Sequence, residues 1–407
     1  MGVFEKAKDP GVREAFIASR ARKMIYEPEA YEELQSYILS DECTKDIDRL
    51  IEGDFFFDYP QYRLVPKNSG TRNRAVYSFK GKPGMLLKLF AFAMHDIEKC
   101  YSDRLFSFRT DRSAADLLLE VRANPEVMDY YVLKTDVTNY VGSIVPELLL
   151  PMIEELFMPD DPAFYNFLGW LLMRKKVINR DGEVIDHCPG GMGGVPVSNF
   201  FMNLYLHEMD DYFAPRAAFY SRYSDDVLIC ARTYDEVMEF EKKFFEILDR
   251  LHLKTNTEKT TLILPGEPFD LLGMELQGGS IRISPHSMAK IKRKLRLAAD
   301  KSVKRSNLGY TSREEAARKL VDRYNRIFFG TKRGMHVLSW AKWAFPVITD
   351  TSSLQEIDHY FQDTLRYVLY GSMKKRNRTI PYEKLGELGY KSLVYYYHHQ
   401  DKIRELQ

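Results

Sequence analysis

The feature that most constrains this chain is a pair of adjacent acids, Asp225 and Asp226, inside the stretch Phe219-Tyr-Ser-Arg-Tyr-Ser-Asp-Asp-Val-Leu-Ile-Cys-Ala231. Two short apolar runs around a tight polar centre predict a β-hairpin over Ala217 to Arg232 with the acids at its turn. Neighbouring carboxylates repel each other, and ionising both at one turn is costly unless a cation balances them. Magnesium takes oxygen ligands and is commonly held by one or two carboxylates plus substrate phosphates. A second run, Tyr130-Tyr-Val-Leu-Lys-Thr-Asp136, predicts a buried strand that ends in a third acid, with the Val137 carbonyl beside it. Such a donor set suits two cations about 3.5–4 Å apart, which can activate an attacking oxygen and stabilise a leaving one. An isolated Asp-Asp pair is ordinarily a solvated turn and nothing more. The metal reading therefore rests on what surrounds it.

Charge along the chain is segregated. The 407 residues sum to +1, but His286 to Gly334 holds 15 lysines and arginines against four acids, a net of +11, leaving the rest near −10. A local excess of this size is what a surface gripping a phosphate backbone needs. Within it, Lys292, Arg293, Lys294 and Arg296 are the expected phosphate contacts, although Ile291, Leu295 and Leu297 would equally suit a solvated amphipathic helix. No apolar run of about 18 residues predicts a membrane span. The start of the chain lacks a signal-peptide core, and Lys6 stands where a myristoylation signal wants Ser or Thr. Cys43, Cys100, Cys188 and Cys230 have no zinc-ligand spacing, and free thiols fit a reducing cytoplasm.

With 45% hydrophobic residues, the length suggests two or three domains. Residues 1–60 read as a helical N-terminal segment, 61–285 as a mixture of strands and helices, and 286–407 as helical. Ser312 and Glu315 have capping-box spacing before an apolar series at helical intervals. Trp340, Trp343 and Tyr395-Tyr-Tyr397 are expected in packing rather than on bases.

Seven motifs occur in order between Tyr62 and Ser284. They are Leu64–Val76 around a Gly70 turn, Phe106–Asp116, Asp136–Ile144, Gly194–Asn199 leading into Asn203–Leu206, Tyr223–Asp226, Leu251–Thr260 and Phe269–Gly273. In this series the chain resembles bacterial reverse transcriptases of the group II intron and retron superfamily. The resemblance implies an α+β right-hand polymerase, with fingers and an antiparallel palm over 61–285 and a helical thumb after it. It implies catalysis by Asp136, Asp225 and Asp226, with Lys259 protonating pyrophosphate, and two Mg2+ ions, or Mn2+, held by the three acids and the Val137 carbonyl. Lys67, Arg72, Arg74, Tyr140, Val141 and Ser198 are implied at the nucleotide. Arg109, Arg112, Gly193 and Gly194 are implied at the template and primer.

The chain departs from the resembled pattern at three places. Met192-Gly193-Gly194 replaces a proline-glutamine-glycine, Ser107 replaces a glycine, and Val141 replaces the aromatic that excludes a ribose 2′-hydroxyl. The aromatic here is Tyr140, one place earlier. On a continuous strand it would face the other way, whereas a turn would let it stand in. Either the gate is loose, or Tyr140 supplies it.

The C-terminal patterns Trp343-Ala-Phe-Pro-Val-Ile, Leu354-Gln-Glu-Ile-Asp-His-Tyr and Leu388-Gly-Tyr-Lys-Ser-Leu-Val resemble free-standing defence-associated reverse transcriptases. This implies antiviral defence, a noncoding RNA template, a DNA product and deoxynucleoside triphosphates, with self-association left open. Other readings are a retron or group II intron role, an RNA-dependent RNA polymerase, and a non-catalytic RNA-binding scaffold. Against the last stands the presence of all three acids.

Overall fold

The computed structural model describes all residues except 22–23, 25–26, 67–72, 189, 256–259, 331–338, 372, 374–378 and 406–407, and the side chains of Asp136, Arg404 and Glu405. The chain forms two compact units, Met1–Ala114 with Tyr130–Leu264, and Ala115–Asp129 with Pro265–Gln407.

The first unit opens with helices Val3–Lys8, Pro10–Ala21, Pro28–Ile38 and Asp41–Ile51. Each buries one apolar face. Phe4, for example, packs edge-on against Phe90 at 5.2 Å and Phe164 at 5.1 Å. The buried Asp161 accepts the Val3 N–H at 2.6 Å, which satisfies an otherwise orphaned helix-start donor. Strands β1 (Gln61–Pro66), β2 (Asn73–Ser78), β3 (Tyr131–Asp136), β4 (Lys176–Ile178), β5 (Val184–Asp186), β6 (Phe219–Tyr223), β7 (Asp226–Ala231) and β8 (Thr261–Ile263) build two sheets. Their orders are β2-β1-β4-β5 and β6-β7-β3-β8. The expected buried strand before Asp136 and the expected hairpin around Asp225 are β3 and β6–β7. β7 is buried from Val227 to Ala231 because helix Tyr234–Arg250 covers the sheet with Val237, Phe244, Ile247 and Leu248. That helix starts with a full capping box, in which Thr233 Oγ1 accepts the Glu236 N–H and the Glu236 carboxylate accepts the Thr233 N–H.

The second unit holds a small meander of β9 (Phe269–Leu271), β10 (Met274–Gln277) and β11 (Ser280–Ile283), followed by helices. The helical C-terminal region is as expected. Helices Pro285–Asn307, Arg313–Phe329 and Ser352–Tyr370 pack together through Leu295, Leu320, Tyr324 and Phe361, with the last two rings stacked at 4.0 Å. Ser312 accepts the Glu315 N–H at 3.1 Å, but the Glu315 carboxylate pairs with Lys319, so only half of the expected capping box is made. Buried Asp358 accepts five hydrogen bonds, from Tyr324, Tyr390, Ser392 and the Leu393 and Val394 amides, and so anchors helix Leu393–His398. Trp340 packs on Phe328 and Trp343, Tyr396 on Phe329, and Tyr397 on Phe345, the packing role expected for these rings. No described helix is long and apolar enough to cross a membrane.

Candidate active site

The site is built on the β6-β7-β3-β8 sheet. Antiparallel register pairs Asp136 with Asp226 and Tyr223 with Asp226, so two strand ends and one hairpin turn bring the three acidic positions to one edge. The hairpin loop has two residues, Ser224 and Asp225, and Ser224 takes φ = 62°. Positive φ at the first loop position matches the twist of the flanking strands, a geometry normally left to glycine. Beyond Asp136 the chain leaves the strand. Val137 bridges to Thr255, the Thr138 N–H donates to the Lys254 carbonyl at 2.7 Å, and Asn139 turns left-handed with φ = 49°. From β3, the Lys134 ammonium reaches to 3.9 Å of the Asp226 carboxylate and offsets part of the local negative charge.

Beneath the turn lies a buried polar network. Arg222, wholly buried on β6, donates from Nε to Asp210 Oδ1 at 2.8 Å and from Nη2 to Asp210 Oδ2. It also donates to the Asn203 carbonyl at 3.0 Å and to the Ser224 carbonyl at 3.3 Å. Tyr220 donates its hydroxyl to Asp210 at 2.8 Å. Burial alone works against the Arg222 charge, but the Asp210 carboxylate more than offsets it and raises the guanidinium pKa. The other side of the turn is held by Ser107. Its Oγ accepts the Ser224 N–H at 2.8 Å and donates to Asn203 Oδ1 at 3.2 Å, while the Asn203 amide donates to the Ser107 carbonyl at 3.0 Å. Ser107 reaches this place because Arg104–Phe106 pairs along β6, exchanging hydrogen bonds with the Arg222 backbone.

A cavity of about 650 Å3 opens above Asp225, lined also by Arg74, Phe108, Asn139, Val141 and the glycine loop. Val141 is part of its wall. Tyr140 starts the 3-10 turn Tyr140–Ser143, is 2% exposed, and donates its hydroxyl to the Met202 carbonyl. Desolvation holds that phenol neutral, its pKa pushed well above the ordinary value. The turn that would let Tyr140 replace Val141 is therefore present, but the ring is committed to the core. Gly191 and Gly194 serve the protein's own packing. A Cβ at Gly191 would lie 2.7 Å from the Val141 carbonyl, and one at Gly194, which has φ = 102°, would lie 2.8 Å from the Tyr77 carbonyl. The Tyr77 hydroxyl sits 2.8 Å from His187 Nε2. Burial lowers the His187 pKa and pushes the Tyr77 phenol up to about 12, so both are neutral near pH 7.

Of the residues read from sequence, Val137, Arg74, Tyr140, Val141, Gly193, Gly194 and Asp225 meet in this cavity. Ser198 is buried and donates its hydroxyl to the Met192 carbonyl at 2.6 Å, turned inward. Arg109 folds onto Asp111 and the Ser102 carbonyl, and Arg112 lies by Asp103 and over the Phe106 ring. Lys67, Arg72 and Lys259 lie outside the described residues. In the second unit, Lys292 pairs with Glu356 and Arg296 stacks on Tyr367 and pairs with Asp300, whereas Arg293 and Lys294 are exposed. Sequence reasoning missed Arg222, Asp210 and Phe108. The last is an exposed phenyl at the cavity with φ = 54°, the kind of strained position that clusters at functional sites. A charged residue in the middle of an expected buried strand was the available signal for Arg222.

An acid-bearing hairpin laid against a third acidic strand, under a cavity with a cation on its wall, defines the palm of a template-directed polymerase. The chain matches the reverse transcriptase (RNA-dependent DNA polymerase) family over residues 65–276, more than half its length, and belongs to that family. No curated protein matches it in sequence. Among solved structures it is similar to apo telomerase from Candida tropicalis, with 14% identity over 86% of this chain and 69% of that one and a TM-score of 0.45. It is likewise similar to telomerase from Candida albicans in complex with a fragment of telomeric RNA, with 12% identity over 76% and 60% and a TM-score of 0.43. A C-terminally truncated apo telomerase from Candida tropicalis gives 13% identity over 56% and 55% and a TM-score of 0.41. The chain thus spans little more than half the length of the last of these, and likenesses at this level carry no functional argument.

Proposed function

We propose that the chain is an RNA-directed DNA polymerase that uses Asp136, Asp225 and Asp226 as metal ligands and acts in the bacterial cytoplasm in antiviral defence. The observation that carries the catalytic part is the register that sets Asp136 opposite Asp226 beside a turn tied down at both its amide and its carbonyl. The donor set fits two magnesium ions, or manganese. It consists of hard carboxylate oxygens with the Val137 carbonyl beside them, and Lys134 lies 3.9 Å from Asp226. When bound, such ions lower the pKa of a primer 3′-hydroxyl and neutralise the leaving pyrophosphate. The protein's own residues do the rest. Asp225 and Asp226 are held by a buried hairpin, and Arg74 faces the cavity where triphosphate charge would lie. Val141 walls the cavity, and Lys259 donates a proton to pyrophosphate.

In this reading residues 1–60 are an N-terminal helical segment, 61–285 the fingers and palm, and 286–407 the helical thumb and C-terminal region. Lys67 and Arg72 complete the nucleotide site, Ser198 supports it from within through its bond to the Met192 carbonyl, and Arg109, Arg112, Gly193 and Gly194 form the template–primer path. Lys292, Arg293, Lys294 and Arg296 hold backbone phosphates. The small Val141 side chain at the cavity wall makes the sugar gate loose. The defence role and the noncoding RNA template are supported by the C-terminal sequence patterns.

The test is primer extension by purified protein on an RNA template, with deoxynucleotides and ribonucleotides supplied separately. Extension with deoxynucleotides is expected. Extension with ribonucleotides and none with deoxynucleotides would make the chain an RNA polymerase, and RNA binding with no extension would make it a scaffold. Sequencing the copurifying nucleic acid, and plating phage on cells with and without the Asp225→Ala/Asp226→Ala variant, tests the defence role.

A further inference from the structure

We propose that Ser107 is a positioning residue that sets the metal affinity of the site by holding the turn carrying Asp225 and Asp226; this rests on the metal-binding reading of those acids. Ser224 stands at φ = 62°, a conformation that an L residue with a side chain adopts only when its surroundings over-determine it. Two groups do so. Arg222 holds the Ser224 carbonyl at 3.3 Å, and the Ser107 hydroxyl holds the Ser224 amide at 2.8 Å. Ser107 is itself wholly buried and fixed twice to Asn203, at 3.2 Å and 3.0 Å, and the Asn203 carbonyl returns to Arg222 at 3.0 Å. The ring Ser107–Asn203–Arg222–Ser224 fixes the two peptide units on either side of the Ser224 Cα, and these direct the next two carboxylates.

A glycine at position 107 would leave the Ser224 amide buried without an acceptor. A buried donor without a partner carries its full desolvation cost, which favours any peptide rotation that re-exposes it. Such a rotation swings Asp225 and Asp226, whose oxygens must hold a fixed geometry because magnesium tolerates little distortion. The hydroxyl at 107 thus acts on metal binding through the turn, without touching metal or nucleotide.

Mn2+ binding is measured by calorimetry on the complex of protein, RNA template, a primer lacking its 3′-hydroxyl, and deoxynucleotide. Single-nucleotide addition is followed against Mg2+ in parallel. Ser107→Ala, and the size-matched Ser107→Cys should the alanine variant not fold, is expected to weaken Mn2+ binding and raise the Mg2+ half-saturation by roughly tenfold, the effect of removing one buried hydrogen bond. The KM for template–primer should stay unchanged. Ser107→Ala/Ser224→Gly should recover part of the affinity, because glycine adopts positive φ without strain. A folded Ser107 variant with wild-type Mn2+ affinity, or one altered only in melting temperature, overturns the proposal. If wild-type protein itself binds no Mn2+ in the complex, the metal-site reading fails instead.

Discussion

Two hairpins of the first unit make a useful contrast. β6–β7 is buried along nearly its whole length, turns in two residues, and has the turn's amide and carbonyl both bonded to side chains below it. β1–β2 pairs over six residues from Gln61–Ser78 to Pro66–Asn73, yet leaves much of itself in solvent, with Leu64 56% exposed. The first carries the acids proposed as metal ligands, whose oxygens would have to be set to within about half an ångström. The second carries Arg74, whose proposed partner is a large, diffuse polyphosphate charge. Of these two hairpins, the one with buried polar bonds at its turn is the one whose geometry must be fixed. The cationic ribbon is left open, where charge alone suffices.

The largest effect should come from the acids themselves. Asp225→Ala/Asp226→Ala is expected to reduce nucleotide addition by at least about a thousandfold. The melting temperature should hold or rise, because repelling carboxylates are removed. Parallel primer extension and thermal melts check both statements. Next comes the network below the turn. Arg222→Met leaves the buried Asp210 without its cationic partner, with the Tyr220 hydroxyl still bonded to it, and should cost about 3–5 kcal/mol in urea unfolding. Arg74→Ala on the open hairpin should change stability by less than about 0.5 kcal/mol and raise the nucleotide KM. Equal stability losses for the two would erase the contrast.

Sugar discrimination sharpens it further. Wild-type protein is expected to incorporate ribonucleotides measurably, and Val141→Phe to suppress this. Tyr140→Ala should instead destabilise the fold by about 3–5 kcal/mol, since it empties a buried aromatic site. Strict deoxynucleotide use that survives Tyr140→Ala would defeat both a loose and a shifted gate. The smallest effect concerns the basic helix Pro285–Asn307. Neutralising the exposed pair Arg293 and Lys294 should flatten the salt dependence of RNA binding by roughly one logarithmic unit for each phosphate that is no longer neutralised. Neutralising Lys292 and Arg296, which are half-buried, should flatten it less.

The sequence showed the acids plainly because local pattern determines them: alternating and apolar runs define β3, β6 and β7, and each acid falls at a run's end. The α+β core and helical C-terminal region were legible for the same reason. The buried clamp was not. Arg222 and Asp210 are 12 positions apart, Ser107 and Ser224 are 117 apart, and nothing local marks a polar residue as one that closes a ring in three dimensions. Gly193 and Gly194 were read from the sequence for their place beside the template and primer; that Gly191 and Gly194 also meet the chain's own carbonyls was not legible there. Only the backbone could reveal that close approach. The sequence posed the Tyr140 question in the right terms, strand or turn. The turn that follows Asp136 runs through the left-handed Asn139, a conformation asparagine tolerates but does not by itself predict.

The central claim is that acids from two separate strands form one catalytic site, and Asp136 tests it most directly because it stands apart from the acidic pair. Asp136→Asn and Asp226→Asn proteins, each shown by melting to be folded, would be compared with wild type in single-turnover addition of a deoxynucleotide on an RNA template across a range of Mg2+. The account predicts that both substitutions abolish addition at every Mg2+ concentration while template–primer binding persists. Addition by Asp136→Asn at the wild-type rate would contradict it.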